Sequence, residues 1–139
     1  MNLESYSVLE CIFVVLLIMA PAYLANTIAV LTGGRYPIDQ GKLYSDGNRI
    51  LGDGKTWSGL IGGTIGGIIV GYGLHLFLGR NFHDNYLWGD DILTIISIFF
   101  LLSFGALFGD MAASFYKRRQ NLQRGDKFAL LDMYDFIFM

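Results

Sequence analysis

Cysteine is almost missing from this chain. Cys11 stands alone, which excludes a disulfide framework within the chain and a thiolate metal site. Set in an apolar segment, it is expected to be a buried, inert thiol. No segment repeats at a fixed period, and no Pro/Gly/Ser-rich linker interrupts the sequence, so a single domain over residues 1–139 is expected. Charge is scarce as well: 16% of residues are charged against 53% apolar, and the mean hydropathy of +0.45 lies above that of ordinary soluble domains. The few charges come in groups, which leaves long uncharged windows between them.

Three of those windows are long enough to cross about 30 Å of hydrocarbon: residues 11–31, 57–78 and 92–116. A fourth apolar run opens at Phe128 and reaches Met139, too short to span. The expected fold is all-α, a polytopic membrane helix bundle with three full transmembrane helices and the start of a further one. A cleaved signal peptide is not expected, because Glu4 and Glu10 make the amino terminus acidic and the first window is too long. Pro21 removes a backbone donor inside the first span and should kink it, a loss that neighbouring helices can make good.

Basic residues are nearly absent from one side. Arg80 stands between the second and third spans with Asp84, Asp90 and Asp91, whereas Arg35, Lys42, Arg49 and Lys55 precede the second span and Lys117, Arg118, Arg119, Arg124 and Lys127 follow the third. The positive-inside rule then places both basic segments, and any catalytic loops in them, in the cytoplasm and the amino terminus outside. A multi-pass protein of the plasma membrane is expected. The formal net charge of −2 conceals this asymmetry.

The second span carries Gly59, Gly63, Gly67 and Gly71 at fourfold spacing, with Gly62 and Gly66 beside them. Such a face lets helix backbones approach closely, either at the centre of a tight bundle or in a homodimer. His75 in the same span reads as a hydrogen-bonded core residue, and His83 as a solvated loop residue.

Two constellations can carry chemistry. The first is the loop segment GDGKTW, residues 52–57. It looks like the end of a phosphate-binding P-loop, but Arg49 stands where that pattern requires glycine and no strand precedes it. Gly52 and Gly54 can still turn backbone N–H groups toward an anion beside Asp53, Lys55 supplies charge, and Thr56 opens a helix whose N-terminus favours phosphate. An ordinary glycine-rich turn with a snorkelling lysine is the alternative. The second constellation joins Asp110, Ser114 and Lys117 or Arg118, a stripe on one face of the third helix, to Asp132 and Asp135, whose carboxylates share a face at a spacing of three. Acids at membrane depth are costly and usually functional. Carboxylates together with substrate phosphates suit Mg²⁺. On the alternative reading, Lys117 to Arg119 only anchor the helix to headgroups and the two aspartates cap a helix.

The arrangement Gly109-Asp110, Ser114, Lys117-Arg118 followed by Asp132 and Asp135 resembles the signature of CTP-dependent phosphatidate cytidylyltransferases. Three further runs resemble more closely the archaeal branch of that superfamily, the CDP-archaeol synthases: Pro37-Ile38-Asp39-Gln40-Gly41, residues 46–59 (DGNRILGDGKTWSG), and residues 114–119 (SFYKRR) with Arg124-Gly125 and residues 130–136 (LLDMYDF). The Lys-Asp and Pro-Gly-His-Gly-Gly stretches of the bacterial signature are missing, and the family continues beyond its paired aspartates into a further helix, whereas this chain ends at Met139. The resemblance implies transfer of CMP from CTP to an unsaturated ether lipid phosphate, releasing pyrophosphate. It implies Mg²⁺ held by Asp132, Asp135 and Asp110, and Lys117, Arg118, Lys55 and Arg124 balancing the nucleotide. Gly52, Asp53, Gly54 and Thr56 would complete the nucleotide site, with Ser114 on a phosphate. CTP and a lipid phosphate are the implied partners, a second copy is a candidate, and no nucleic acid is expected. A CDP-diacylglycerol synthase, a CTP-dependent polyprenol kinase and a non-enzymatic membrane module are the competing readings.

Overall fold

The computed structural model describes residues 7–81, 88 and 91–122. Among them are three long helices, α1 (Val8–Thr32), α2 (Trp57–Asn81) and α3 (Ile92–Arg119). All three pack against one another. The fourth apolar run, His83, Arg124, Asp132 and Asp135 lie outside the described residues.

Local sequence sets the helix ends. α1 starts earlier than hydropathy alone indicates because Ser7 and Glu10 form a capping box: Glu10 N–H donates to Ser7 Oγ (3.3 Å) while Ser7 N–H donates to Glu10 Oε2 (2.7 Å). Glu10 is therefore part of the helix's first turn, and α1 runs through Pro21 as one helix. Asp91 caps α3 by accepting from Thr94 N–H at 2.9 Å. Lys117, Arg118 and Arg119 occupy its last turn, where cations complement the negative end of the helix dipole.

The bundle hides little of its apolar surface. Only 17%, 22% and 28% of the apolar windows of α1, α2 and α3 are buried against other helices, although each helix is long and apolar enough to cross a membrane. Cys11 follows from this. It is exposed rather than buried as expected, because the first half of α1 has few neighbours; an apolar residue in a membrane helix can be satisfied by lipid instead of by core.

The glycines of α2 decide how closely the helices meet. A Cβ at Gly63 would lie 2.7 Å from the Ala25 carbonyl oxygen and 2.8 Å from Ala29 Cβ, while one at Gly71 would lie 2.6 Å from the Phe99 ring. One side of α2 thus seats α1 and the next seats α3. The glycine face is used inside the chain, against α1 and α3, and is not a surface for a second copy. Gly63→Ala is expected to cost about 1–3 kcal/mol through overpacking against a backbone that cannot yield, read as a lower thermal midpoint in detergent. Gly73→Ala, with open space around its Cβ, should be neutral or slightly stabilising through helix propensity. Farther along α2, His75 lies between Tyr72 and Trp88, each 6.2 Å away between ring centroids, and Trp88 packs on Phe99 and Ile95.

Candidate active site

The connection between α1 and α2 is built around one carboxylate. Asp39 has a fully buried side chain and accepts from Arg49 twice, Nη2 to Oδ1 at 2.7 Å and Nε to Oδ2 at 3.2 Å. Backbone N–H groups of Leu51 (3.0 Å), Gly52 (2.9 Å) and Gly41 (3.2 Å) also donate to it. Arg49, then these backbone donors, hold the Asp39 carboxyl far below the usual carboxylate range against the opposing cost of desolvation. Gly52 adopts φ +92°, which favours glycine there. The isolated antiparallel bridges Pro37–Thr56 and Leu43–Arg49 close the connection.

Two groups expected to face phosphate have partners within the chain. The Gly52 N–H faces the protein's own Asp39 rather than an external anion. The N-terminus of α2 is also occupied: Trp57 N–H donates to the Tyr36 carbonyl at 3.1 Å, and Gly59 N–H donates to Thr56 Oγ1 at 3.1 Å. Thr56 is a buried cap whose Oγ1 accepts from within the helix. Arg49, which breaks the P-loop pattern, is the residue that completes the Asp39 nest.

Arg119 fastens this connection to α3, and spacing along the sequence did not reveal it. Its Nη2 donates to the Arg49 carbonyl at 2.6 Å and its Nη1 to Asp46 Oδ1 at 3.1 Å. The guanidinium lies 4.5 Å from the Tyr44 ring centroid and 5.0 Å from that of Phe115, within cation–π range. Asn48 Nδ2 donates to Asn121 Oδ1 at 2.7 Å beside it. Apart from Phe115, one helical turn away on α3, these partners are some seventy residues apart in the chain, beyond any local motif.

Between the fastened connection and α3 lies a cleft of about 520 Å³. Gly52, Asp53, Gly54 and Lys55 line one wall; Ser114 and Arg118 line the other. Six residues singled out from sequence therefore meet in one place. Lys117 does not line it; the helical turn puts Arg118, four residues after Ser114, on this side. Beneath the cleft, Lys55 Nζ is ion-paired with the Asp110 carboxylate. Both residues line a small adjoining cavity of about 60 Å³, together with Asn26 and Thr56. Asp53 pairs with Arg49 at 2.8 Å and keeps a side chain 73% exposed.

The donor set suits a polyanion: an ammonium, a guanidinium and a hydroxyl converge on one cleft. Among the described residues no group of three or more His, Cys, Asp or Glu is placed to hold a metal ion. Asp110 lies in the small adjoining cavity rather than on the cleft lining.

With the cleft defined, comparison with known proteins gives a consistent result. The sequence model of CarS-like CDP-archaeol synthases matches residues 8–139. The chain belongs to the CDP-archaeol synthase family. The CDP-archaeol synthase of Methanocorpusculum labreanum is 48% identical over 119 residues, covering 86% of this chain and 65% of the relative. That of Thermococcus kodakarensis is 45% identical, covering 93% and 71%, and that of Archaeoglobus fulgidus 39%, covering 94% and 73%. The chain thus spans 65% to 73% of the length of these CDP-archaeol synthases. A solved structure of an intramembrane enzyme for archaeal membrane lipid biosynthesis superposes with a TM-score of 0.70 at 39% identity, covering 88% of this chain and 70% of that one. Three apolar helices in this CDP-archaeol synthase family member, matched to an intramembrane enzyme, make it a multi-pass membrane protein.

Proposed function

We propose that the chain carries out CTP-dependent transfer of CMP to an unsaturated archaeal ether lipid phosphate, giving CDP-archaeol and pyrophosphate. The observation that carries this reading is the cleft in which Lys55, Ser114 and Arg118 converge from two elements distant in sequence. A lipid phosphate oxygen attacks the α-phosphorus of CTP; the bond from that phosphorus to the β-bridging oxygen breaks, and pyrophosphate leaves with the electron pair. No general base is required, since the lipid phosphate is already ionised at neutral pH. The protein's part is positioning and charge stabilisation. Lys55 and Arg118 neutralise nucleotide oxygens, and Ser114 donates a hydrogen bond to one of them.

Asp110, Asp132 and Asp135 are the residues that would hold Mg²⁺. When bound, such an ion offsets phosphate charge and orients the phosphates. The basic end of the bundle, with the cleft, faces the cytoplasm in this reading, and the membrane is the plasma membrane.

The test is turnover of the purified protein with CTP, Mg²⁺ and matched ether and ester lipid phosphates. Pyrophosphate and a CDP-lipid are expected, with the ether lipid preferred. Release of CDP instead would identify γ-phosphate transfer by a lipid kinase and sink the proposal. Asp132→Asn or Asp135→Asn should lower Mg²⁺-dependent turnover by about 10²-fold or more, the scale of removing one preorganised electrostatic group. Robust activity in either variant would remove the metal role from these aspartates.

A further inference from the structure

Arg49 and Asp53 line two cavities. The first is the cleft described above. The second, of about 490 Å³, is bounded also by Tyr36, Pro37, Gln40 and Trp57. Trp57 is the first residue of α2 and heads a stripe at fourfold spacing, Trp57, Ile61, Ile65 and Ile69, all exposed at 48% to 65%. Within a membrane this stripe faces hydrocarbon, and a tryptophan at its head marks the headgroup level. The second cavity is therefore reached along the bilayer side of α2, whereas the cleft is walled by the polar connection, the basic end of α3 and Val30 of α1. Tyr36 (φ 56°) and Gln40 (φ 49°) on its rim adopt left-handed backbone. Non-glycine residues in that conformation persist where the surroundings over-determine them, often at ligand-binding positions.

The wall between the two cavities carries a cation with spare capacity. Arg49 commits Nε and Nη2 to Asp39, and Nη2 also touches Asp53. Its remaining terminal nitrogen, Nη1, has no partner among the described residues. Asp53, being exposed, can yield its place to a stronger anion. A phosphate monoester suits a guanidinium because it accepts parallel charge-assisted hydrogen bonds.

We infer that the Tyr36–Trp57 cavity holds the phosphate headgroup of a dialkylglycerol phosphate, with its chains along the Trp57–Ile61–Ile65–Ile69 stripe and Arg49 Nη1 on the phosphate. The inference rests on the proposed lipid substrate and adds where that substrate docks. The two reactants then approach the Arg49–Asp53 wall from opposite sides, nucleotide from the polar cleft and lipid from the bilayer.

The chain has two tryptophans, and Trp88 is buried in the helix core, so quenching from the lipid phase reports mainly on Trp57. The full chain in detergent micelles, without CTP, is titrated with a dialkylglycerol phosphate brominated in its chains, and in parallel with the same brominated lipid lacking the phosphate. Saturable quenching by the phosphate lipid, at a concentration at least about tenfold lower than the neutral lipid needs, is expected from a charge-assisted headgroup contact. Equal quenching by both makes Trp57 an interfacial anchor only and overturns the inference. So does the absence of quenching by either, the result if another helix or a second copy covers this face. In turnover, Trp57→Ala should raise KM for the lipid about tenfold while leaving KM for CTP within about twofold, since truncating an aromatic side chain that the lipid covers removes binding to that partner alone. A rise confined to CTP overturns it. The quenching needs no turnover, so failure of the docking site and failure of the proposed reaction are separate results.

Discussion

Asp39→Ala is expected to abolish nucleotide turnover while leaving all three helices in place. The carboxylate accepts from Arg49 and from the N–H groups of Gly41, Leu51 and Gly52, and its side chain is fully buried. Removing it strands a guanidinium and three backbone donors together. Breaking one partner out of a buried, hydrogen-bonded ion pair costs about 3–5 kcal/mol. A cost of that size shifts the connection from docked to undocked by roughly 10²–10³-fold or more, and the wall bearing Gly52, Gly54 and Lys55 goes with it. Helices held by the glycine face of α2 do not depend on Asp39, so circular dichroism should be unchanged while proteolysis within residues 33–56 accelerates. Turnover near that of the parent protein would show that Asp39 is not the keystone. Acid gives the same result without mutation. The folded-state pKa of Asp39 is depressed from its ordinary value of 3.8, so its contribution is complete above about that value. The contribution is lost as pH falls through the depressed folded value. Protease resistance of the connection should therefore persist across neutral and mildly acidic pH and fail only in strong acid.

What the sequence made legible follows the range of the interactions involved. The three spans could be read because length and hydropathy are local, and a membrane helix satisfies its own backbone. The close packing of α2 on its neighbours could be read in outline from Gly59, Gly63, Gly67 and Gly71, since close approach needs small residues wherever the neighbour comes from. Spacing alone could not choose between a bundle and a dimer; the Ala25 carbonyl and the Phe99 ring against those glycines do.

The connection was less legible. Gly52 carries the residue type of a phosphate loop, but a backbone donor serves whichever anion lies nearest, and for its N–H that anion is Asp39, thirteen residues away. Arg49 looked like a defect in a motif because its partner is not in the motif. Arg119 looked like one more headgroup anchor, since its partners Asp46, Arg49 and Tyr44 lie in a distant segment. Cys11 failed for another reason: burial rules derived from water-soluble cores do not apply where the surrounding medium is hydrocarbon. Ser114 and Arg118 face one cleft together, as fourfold periodicity on one helix predicts without knowledge of the rest of the fold.

Lys55→Ala is expected to lower kcat/KM for CTP by about 10²–10³-fold, the effect of deleting one preorganised charged donor from a site where phosphate charge moves. The resting partner of Lys55 sharpens the test. Its ammonium is paired with Asp110 at the end of a helix otherwise apolar for most of its length, where a lone carboxylate is costly. Lys55→Ala leaves that carboxylate without its partner, so lost activity could be blamed on packing. The double variant Lys55→Met/Asp110→Leu removes both charges and fills the space with apolar atoms, an exchange that is often neutral or stabilising. It should keep the parental thermal midpoint and remain inactive. Asp110→Asn separates the two remaining roles. If Asp110 only restrains Lys55, the freed ammonium binds CTP at least as well and KM does not rise. If Asp110 also serves Mg²⁺, turnover falls and more Mg²⁺ is needed for half-maximal rate. A double variant that is both stable and active would show that the Lys55–Asp110 pair is architecture, and the convergence of Lys55, Ser114 and Arg118 would lose its chemical meaning.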